Sequence, residues 1–196
     1  MRSRPTLIAL GAVALIALVV VGVLQTRSSD RATGAAPKAL SLAEVSKPIG
    51  AAPPALAALH DRVNELSRGG TKAFDAQLRA LRGHPVVVNL WASWCDPCRY
   101  ELPFLQRAAV DRGAQVAFLG INVTDERNAA KRFAAQYPMP YPSFEDPRGN
   151  LAGRYGARGL PATAFYDAAG KLVIVHQGVF PTQQMFLGAL ERYARQ

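Results

Sequence analysis

Apolar positions along this 196-residue chain change their period several times, and each change marks a segment. Residues 6–24 form a continuous apolar run of 19 positions without a charge. As a helix rising about 1.5 Å per residue it would reach roughly 28 Å, close to the hydrocarbon thickness of a bilayer. From 25 to 54 the pattern dissolves into Ala, Ser, Gly and Pro and ends at Pro53-Pro54, which predicts a flexible tether. Over 55–67, Leu56, Leu59, Val63 and Leu66 recur at helical spacing, and Gly69-Gly70 stops them. Over 71–81, Phe74, Leu78 and Leu81 do the same, with Thr71 as a cap and Gly83 as the stop.

Beyond residue 84 the pattern alternates. Short apolar runs predict strands over 85–91, 114–122, 162–166 and 172–176. Helical periods predict helices over 96–112, 125–137, 150–155 and 182–193. A Pro-rich connector with one short strand fills 138–144, and Asp167-Ala168-Ala169-Gly170 reads as a hairpin turn. A βαβ half followed by a ββα half gives an α/β fold, a mixed central sheet flanked by helices. The predicted organisation is a cytoplasmic tail and transmembrane anchor over 1–25, the tether over 26–54 and one folded domain over 55–196, long enough to bury a real core.

The formal charge is +9, with a pI of about 10.1. Without the first 30 residues there remain 20 basic and 13 acidic side chains, a net +7. They are scattered and form no basic stripe interleaved with aromatics, so no nucleic-acid partner is expected. An anionic membrane surface or acidic protein partners suit this charge better. Arg2 and Arg4 precede the apolar run and Arg27 follows it, and no A-x-A-type cleavage site lies close behind. These features predict an uncleaved single-pass signal-anchor in the cell membrane, with the domain on the extracytoplasmic face; a cleaved signal peptide is the alternative.

The chemistry gathers in Trp94-Cys95-Asp96-Pro97-Cys98, which holds both cysteines of the chain. A C-x-x-C between a strand and a helix suits dithiol–disulfide exchange. Positions i and i+3 lie one turn apart, within reach of a bridge. Cys95 falls at the predicted helix N-terminus, where free N–H groups and the positive dipole end favour a thiolate. Cys95 is therefore expected to be the attacking and more exposed thiol, and Cys98 the resolving one. Asp96 opposes ionisation of Cys95 and tempers this effect. A bond closing so short a loop is a poor staple. Only His60, His84 and His176 could add metal ligands and they are scattered, while Arg99 stands where a haem-attachment motif needs His. No metal and no cofactor are expected.

The stretch Val86-Val87-Val88-Asn89-Leu90-Trp91-Ala92-Ser93-Trp94-Cys95-Asp96-Pro97-Cys98-Arg99-Tyr100-Glu101 resembles the thioredoxin superfamily. So do Gly159-Leu160-Pro161-Ala162-Thr163-Ala164-Phe165 and the later Asp167, Gly170-Lys171 and Gly178. The resemblance is strongest to the membrane-anchored TlpA/ResA-like thiol–disulfide oxidoreductases and covers roughly 84–195. It implies a thioredoxin-like fold with Cys95 and Cys98 as the redox pair and Pro161 as the cis-proline facing the disulfide. It also implies Glu101 as the acidic residue beneath the active site, and Trp91 and Trp94 as the flanking aromatics. A cis turn there would expose the backbone of Leu160 to an extended substrate segment, so Trp94, Pro97, Leu160 and Pro161 are the expected substrate contacts. Glu101 lies one helical turn beyond Cys98, placed to exchange protons with it.

Two departures stand out. Thioredoxin carries a buried aspartate six residues before its first active cysteine; here that position is Asn89, which cannot titrate, so Glu101 inherits the proton. This branch usually starts with a β-hairpin; here two helices are predicted in its place. The expected function is reduction of protein disulfides, with a membrane electron donor for recycling and apocytochrome c among the implied substrates, as in cytochrome c-type biogenesis. A DsbA-like oxidase would use the same residues in reverse, and a copper chaperone would use the two thiolates as ligands. A peroxidase would need a third cysteine.

Overall fold

The computed structural model describes residues 37–194, so the apolar run at 6–24 and the first part of the tether lie outside the described residues. In chain order the elements are α1 (Leu42–Val45), α2 (Pro54–His60), β1 (Leu66–Ser67), α3 (Gly70–Ala80), β2 (Val86–Trp91), α4 (Asp96–Arg112) and β3 (Ala117–Val123). They continue with α5 (Arg127–Gln136), β4 (Ser143–Asp146), α6 (Asn150–Arg154), β5 (Ala162–Tyr166), β6 (Leu172–Gln177) and α7 (Gln183–Tyr193). Among the described residues no helix is long and apolar enough to cross a membrane.

The strands form one sheet in the order β1-β4-β3-β2-β5-β6. The β1, β4, β3 and β2 ladders are parallel, and β5 and β6 add to them antiparallel. Every residue of β2 and β3 is buried. This is why their sequences run apolar without alternation: both faces are covered. Val87, Trp91, Phe118 and Phe165 pack on one face with α4, α5 and α7. Val86, Val88, Leu90, Leu119 and Ile121 pack on the other with α2, α3 and α6. At about 1.5–3 kcal/mol for each large side chain withdrawn from water, these two layers supply the main driving force. The thioredoxin-like α/β fold expected from the sequence is the fold observed.

Two segments differ from expectation. The helix expected over 55–67 ends at His60, because Asn64 turns the chain with φ 59°. Its backbone N–H donates to the Met139 carbonyl at 2.8 Å and its side-chain oxygen accepts from the Met139 N–H at 3.0 Å. This exchange releases Leu66 and Ser67 from any helix and lays them beside Ser143 and Phe144 as a strand. The two predicted helices are present, but the sheet gains an edge strand between them.

The tether reading also fails over 37–54, which docks on the domain. Gln106 is wholly buried in α4 and its amide needs partners. Its oxygen accepts from the Leu40 N–H at 2.9 Å and its nitrogen donates to the Pro138 carbonyl at 2.7 Å. Ser41 and Glu44 close a capping box on α1, and Val45 is fully buried. The folded unit therefore begins well before residue 55.

Ser143 on β4 and Trp91 on β2 leave no room for a side chain at Gly120 of β3. A Cβ there would collide with Ser143 Oγ and meet Trp91 Nε1 at 3.0 Å, the two groups that hydrogen-bond each other at 3.1 Å. Gly120→Ala is expected to lower stability by about 1–3 kcal/mol through overpacking. Urea denaturation of the two proteins measures the loss.

Candidate active site

The site grows from the C-terminal end of β2. After Trp91 the chain leaves the sheet through Ala92, Ser93 and Trp94, and a carboxylate on a neighbouring turn fixes its course. Asp125, just past β3, accepts from the Ser93 N–H at 2.6 Å and the Ser93 hydroxyl at 2.7 Å. The same carboxylate accepts from Asn122 Nδ2 at 2.8 Å and the Glu126 N–H at 2.9 Å. Trp94, 58% exposed, donates its indole N–H to the Thr124 carbonyl at 3.2 Å. Sequence reasoning missed Asp125. An acidic residue at a strand end ready to form local turns was its only signal.

Cys95 is the N-cap of α4. Its sulfur accepts from the Cys98 N–H at 3.2 Å, one of the donors that a helix start leaves free. Pro97 sits exposed in the first turn, where a missing N–H costs nothing. The two cysteines are joined in a disulfide, with Cα atoms 5.3 Å apart. Cys95 and Cys98 are 3% and 4% exposed, so exposure does not separate them as the sequence predicted. Both are buried in the disulfide form, and the helix start is what distinguishes Cys95. The Asp96 carboxylate is tied to Arg99 at 2.7 Å, and Arg99 also donates to the Ser93 carbonyl at 2.8 Å. The charge expected to oppose Cys95 thus has a cation beside it.

Glu101 lies one turn further along α4 and is 1% exposed. One carboxylate oxygen accepts from Asn89 Nδ2 at 3.4 Å, the other from the Phe180 N–H at 2.8 Å. Burial pushes its pKa up to about 7, and the Phe180 N–H offsets only part of that. Asn89 points toward it because Val87, Asn89 and Trp91 alternate onto the α4 face of β2. The residue that cannot titrate therefore serves as a donor to the one that can. Tyr141 is buried nearby; burial first, and then the Glu101 charge, hold its phenol well above the ordinary range.

Leu160-Pro161 is a cis peptide bond at the start of β5. Since Leu90 pairs with Ala162, Pro161 stands at the end of the sheet where β2 delivers the chain to Cys95. The Pro161 carbonyl accepts from the Gly178 N–H at 2.9 Å, while among the described residues no backbone group bonds Leu160. Leu160 is half-buried and Trp94 exposed, so apolar surface borders this rim. Trp91 lies in the core, stacked on Phe133 with ring centroids 5.1 Å apart.

A carboxyl that resists ionisation in the fold gives a signed pH effect. Unfolded, Glu101 ionises near its ordinary value of 4.5; folded, near 7. Between these values the unfolded state releases the proton first, so stability falls as pH rises. Glu101→Gln removes that loss. In the disulfide form, its stability relative to wild type is expected to rise by about 3 kcal/mol from pH 4 to pH 8, and to level off beyond. Urea titrations at stepped pH check it.

Comparison with known proteins agrees with this geometry. Over 100 residues the chain is 41% identical to the thiol:disulfide interchange protein DsbE of Pseudomonas fluorescens biotype C, covering 50% of this chain and 54% of that one. Over 110 residues it is 32% identical to the thiol-disulfide oxidoreductase ResA of Halalkalibacterium halodurans, covering 56% and 62%. The chain thus spans between about half and two thirds of the length of these relatives. Among solved structures, the exposed lipoprotein thioredoxin of Streptococcus pneumoniae TIGR4 superposes with a TM-score of 0.53 at 28% identity, over 59% of this chain and 89% of that one. A secreted Mycobacterium tuberculosis disulfide oxidoreductase homologous to E. coli DsbE gives 0.53 at 28% identity, over 58% and 85%. The AhpC/TSA family model matches residues 59–175, the span from the end of α2 into β6, and the chain belongs to that family of thioredoxin-like proteins.

Proposed function

We propose that this protein is a thiol–disulfide oxidoreductase that reduces disulfides in partner proteins. The observation that carries the reading is the Cys95–Cys98 pair at the start of α4, with Glu101 buried one turn below. The names of the relatives, DsbE and ResA, support it.

The residues divide the chemistry between them. In the reduced protein the α4 N-terminus stabilises the Cys95 thiolate, and the Cys98 N–H is aimed at that sulfur. The thiolate attacks a substrate disulfide: a bond forms from Cys95 to one substrate sulfur, and the other sulfur leaves as a thiolate. Cys98 then gives its proton to the Glu101 carboxylate and attacks Cys95. The internal disulfide closes and the second substrate thiolate leaves, so two electrons have passed from the dithiol to the substrate. A pKa of about 7 lets Glu101 hold or release a proton near neutrality. Trp94, Pro97 and the free backbone of Leu160 form the rim that meets an extended substrate segment, with Pro161 beside the sulfurs.

The apolar run at 6–24 supports a single-pass anchor that keeps this domain on the extracytoplasmic face of the cell membrane. A membrane electron donor would return the disulfide to the dithiol. Cytochrome c maturation, with apocytochrome c as a substrate, fits this setting.

The test is a trap. Reduced Cys98→Ser is expected to accumulate a mixed disulfide with a disulfide-bonded substrate protein, while Cys95→Ser accumulates none. Non-reducing electrophoresis with mass spectrometry reads both. Accumulation in Cys95→Ser alone would reverse the roles, and accumulation in neither would reject the reading.

A further inference from the structure

Between the end of β6 and the start of α7 the chain runs through residues 178–182 without regular structure. Three hydrogen bonds fasten it. Gly178, turning with φ 86°, donates its N–H to the Pro161 carbonyl at 2.9 Å. The Phe180 N–H donates to the Glu101 carboxylate at 2.8 Å. The Pro181 carbonyl accepts from the Tyr100 hydroxyl at 2.8 Å. Tyr100 and Glu101 are neighbours on α4, so two of the three fastenings fall on the helix that starts at the cysteines.

The Phe180 side chain is held as well as its backbone. Its ring is buried and meets Phe165 and Phe186 at steep angles, with centroids 6.4 Å and 5.3 Å apart. The His176 ring lies flat against it, with centroids 3.9 Å apart and planes 20° from parallel. His176 Nε2 is buried without a hydrogen-bond partner among the described residues, so that nitrogen gives the ring no other anchor. One face of Phe180 thus depends on a residue of the edge strand β6.

We propose that His176 and Tyr100 are positioning residues for Glu101: one holds the Phe180 ring, the other the Pro181 carbonyl, and together they keep the Phe180 N–H on the carboxylate. Their effect on the chemistry rests on the reading in which Glu101 takes the Cys98 proton. Burial pushes the Glu101 carboxyl up toward neutrality, and the Phe180 N–H, by favouring the charged form, keeps it from rising further. If the segment slackens, that donor is lost. The carboxylate then forms only at higher pH, and less of it is available to Cys98 near neutrality. Three other titratable groups surround this point. The Tyr141 phenol stays protonated through burial. Cys98 does not titrate while it is in the disulfide. Any charge on His176 disappears when the residue is changed to Ala or to Phe, so comparing those two variants isolates the ring.

The test titrates the Glu101 carboxyl by carbon-13 NMR in the disulfide form of the full-length protein. His176→Ala is expected to raise the midpoint by about one pH unit, the loss of one hydrogen bond to a charged acceptor. Tyr100→Phe keeps the ring that packs on Phe104 and removes only the hydroxyl, and is expected to raise the midpoint by a smaller amount. His176→Phe keeps a flat ring and is expected to return the wild-type midpoint. A second readout mixes the reduced protein with dithiobis(nitrobenzoate), whose two coloured thiolates leave in turn, one on attack by Cys95 and one on resolution by Cys98. At pH 7, His176→Ala is expected to slow the second phase about fivefold relative to the first and to recover as the pH rises. A purely structural His176 would change stability and leave the midpoint in place. If His176→Ala does not fold, His176→Leu, which fills the space without a flat ring, carries the same comparison. An unmoved midpoint overturns the role of the residue that was changed. A His176→Phe midpoint shifted as far as that of His176→Ala overturns the stacking. A midpoint that moves while the second phase keeps its wild-type rate leaves the positioning standing and overturns the reading of Glu101 as the acceptor of the Cys98 proton.

Discussion

Withdrawing a carboxylate from water is expensive unless donors replace the solvent, and among the described residues Glu101 receives only two, from Asn89 and the Phe180 backbone. Much of the domain arranges that shortage. β2 must run beneath α4 with Asn89 on the inward face, and the segment entering α7 must bring the Phe180 N–H back to the same point. The result is a buried acid that keeps its proton to about pH 7, one turn from Cys98. A more generous set of donors would leave a permanent charge beneath the thiols, and a less generous set a permanent acid.

The rest of the site holds the sulfurs over that acid. Asp125 accepts four hydrogen bonds from the chain around it, two of them from Ser93, two residues before Cys95. This brace spans β2 and β3, and at Gly120 of β3 the Ser143 and Trp91 side chains leave no space for a Cβ. On the far side of β2, β5 begins at Pro161 and sets the rim beside the motif. Two ladders and one carboxylate thus define where Cys95 starts α4. The helix start then supplies what separates the two thiols, since exposure does not.

Much of this was legible in the chain. The apolar runs of β2, β3 and β5 and the helical periods of α3, α4 and α7 announced themselves by composition and spacing, and Cys95, Cys98 and Glu101 by position within α4. What was not legible depended on contacts distant in sequence. Asn64 ends its helix by bonding Met139, 75 residues away, which no local pattern contains. The docked segment after residue 37 reads as a tether because Ala, Ser, Gly and Pro leave its apolar residues without a period; Gln106, 66 positions on from Leu40, captures its backbone.

The proposed chemistry needs one carboxyl that holds a proton near neutrality. Its direct measurement is the titration of the Glu101 side-chain carbon by NMR in the disulfide form, with glutamate labelled by carbon-13 and the signal assigned by its loss in Glu101→Gln. The expected midpoint lies near pH 7. A midpoint at the ordinary glutamate value near 4.5 would mean that Glu101 is ionised throughout the neutral range, and would contradict its role in handling the Cys98 proton.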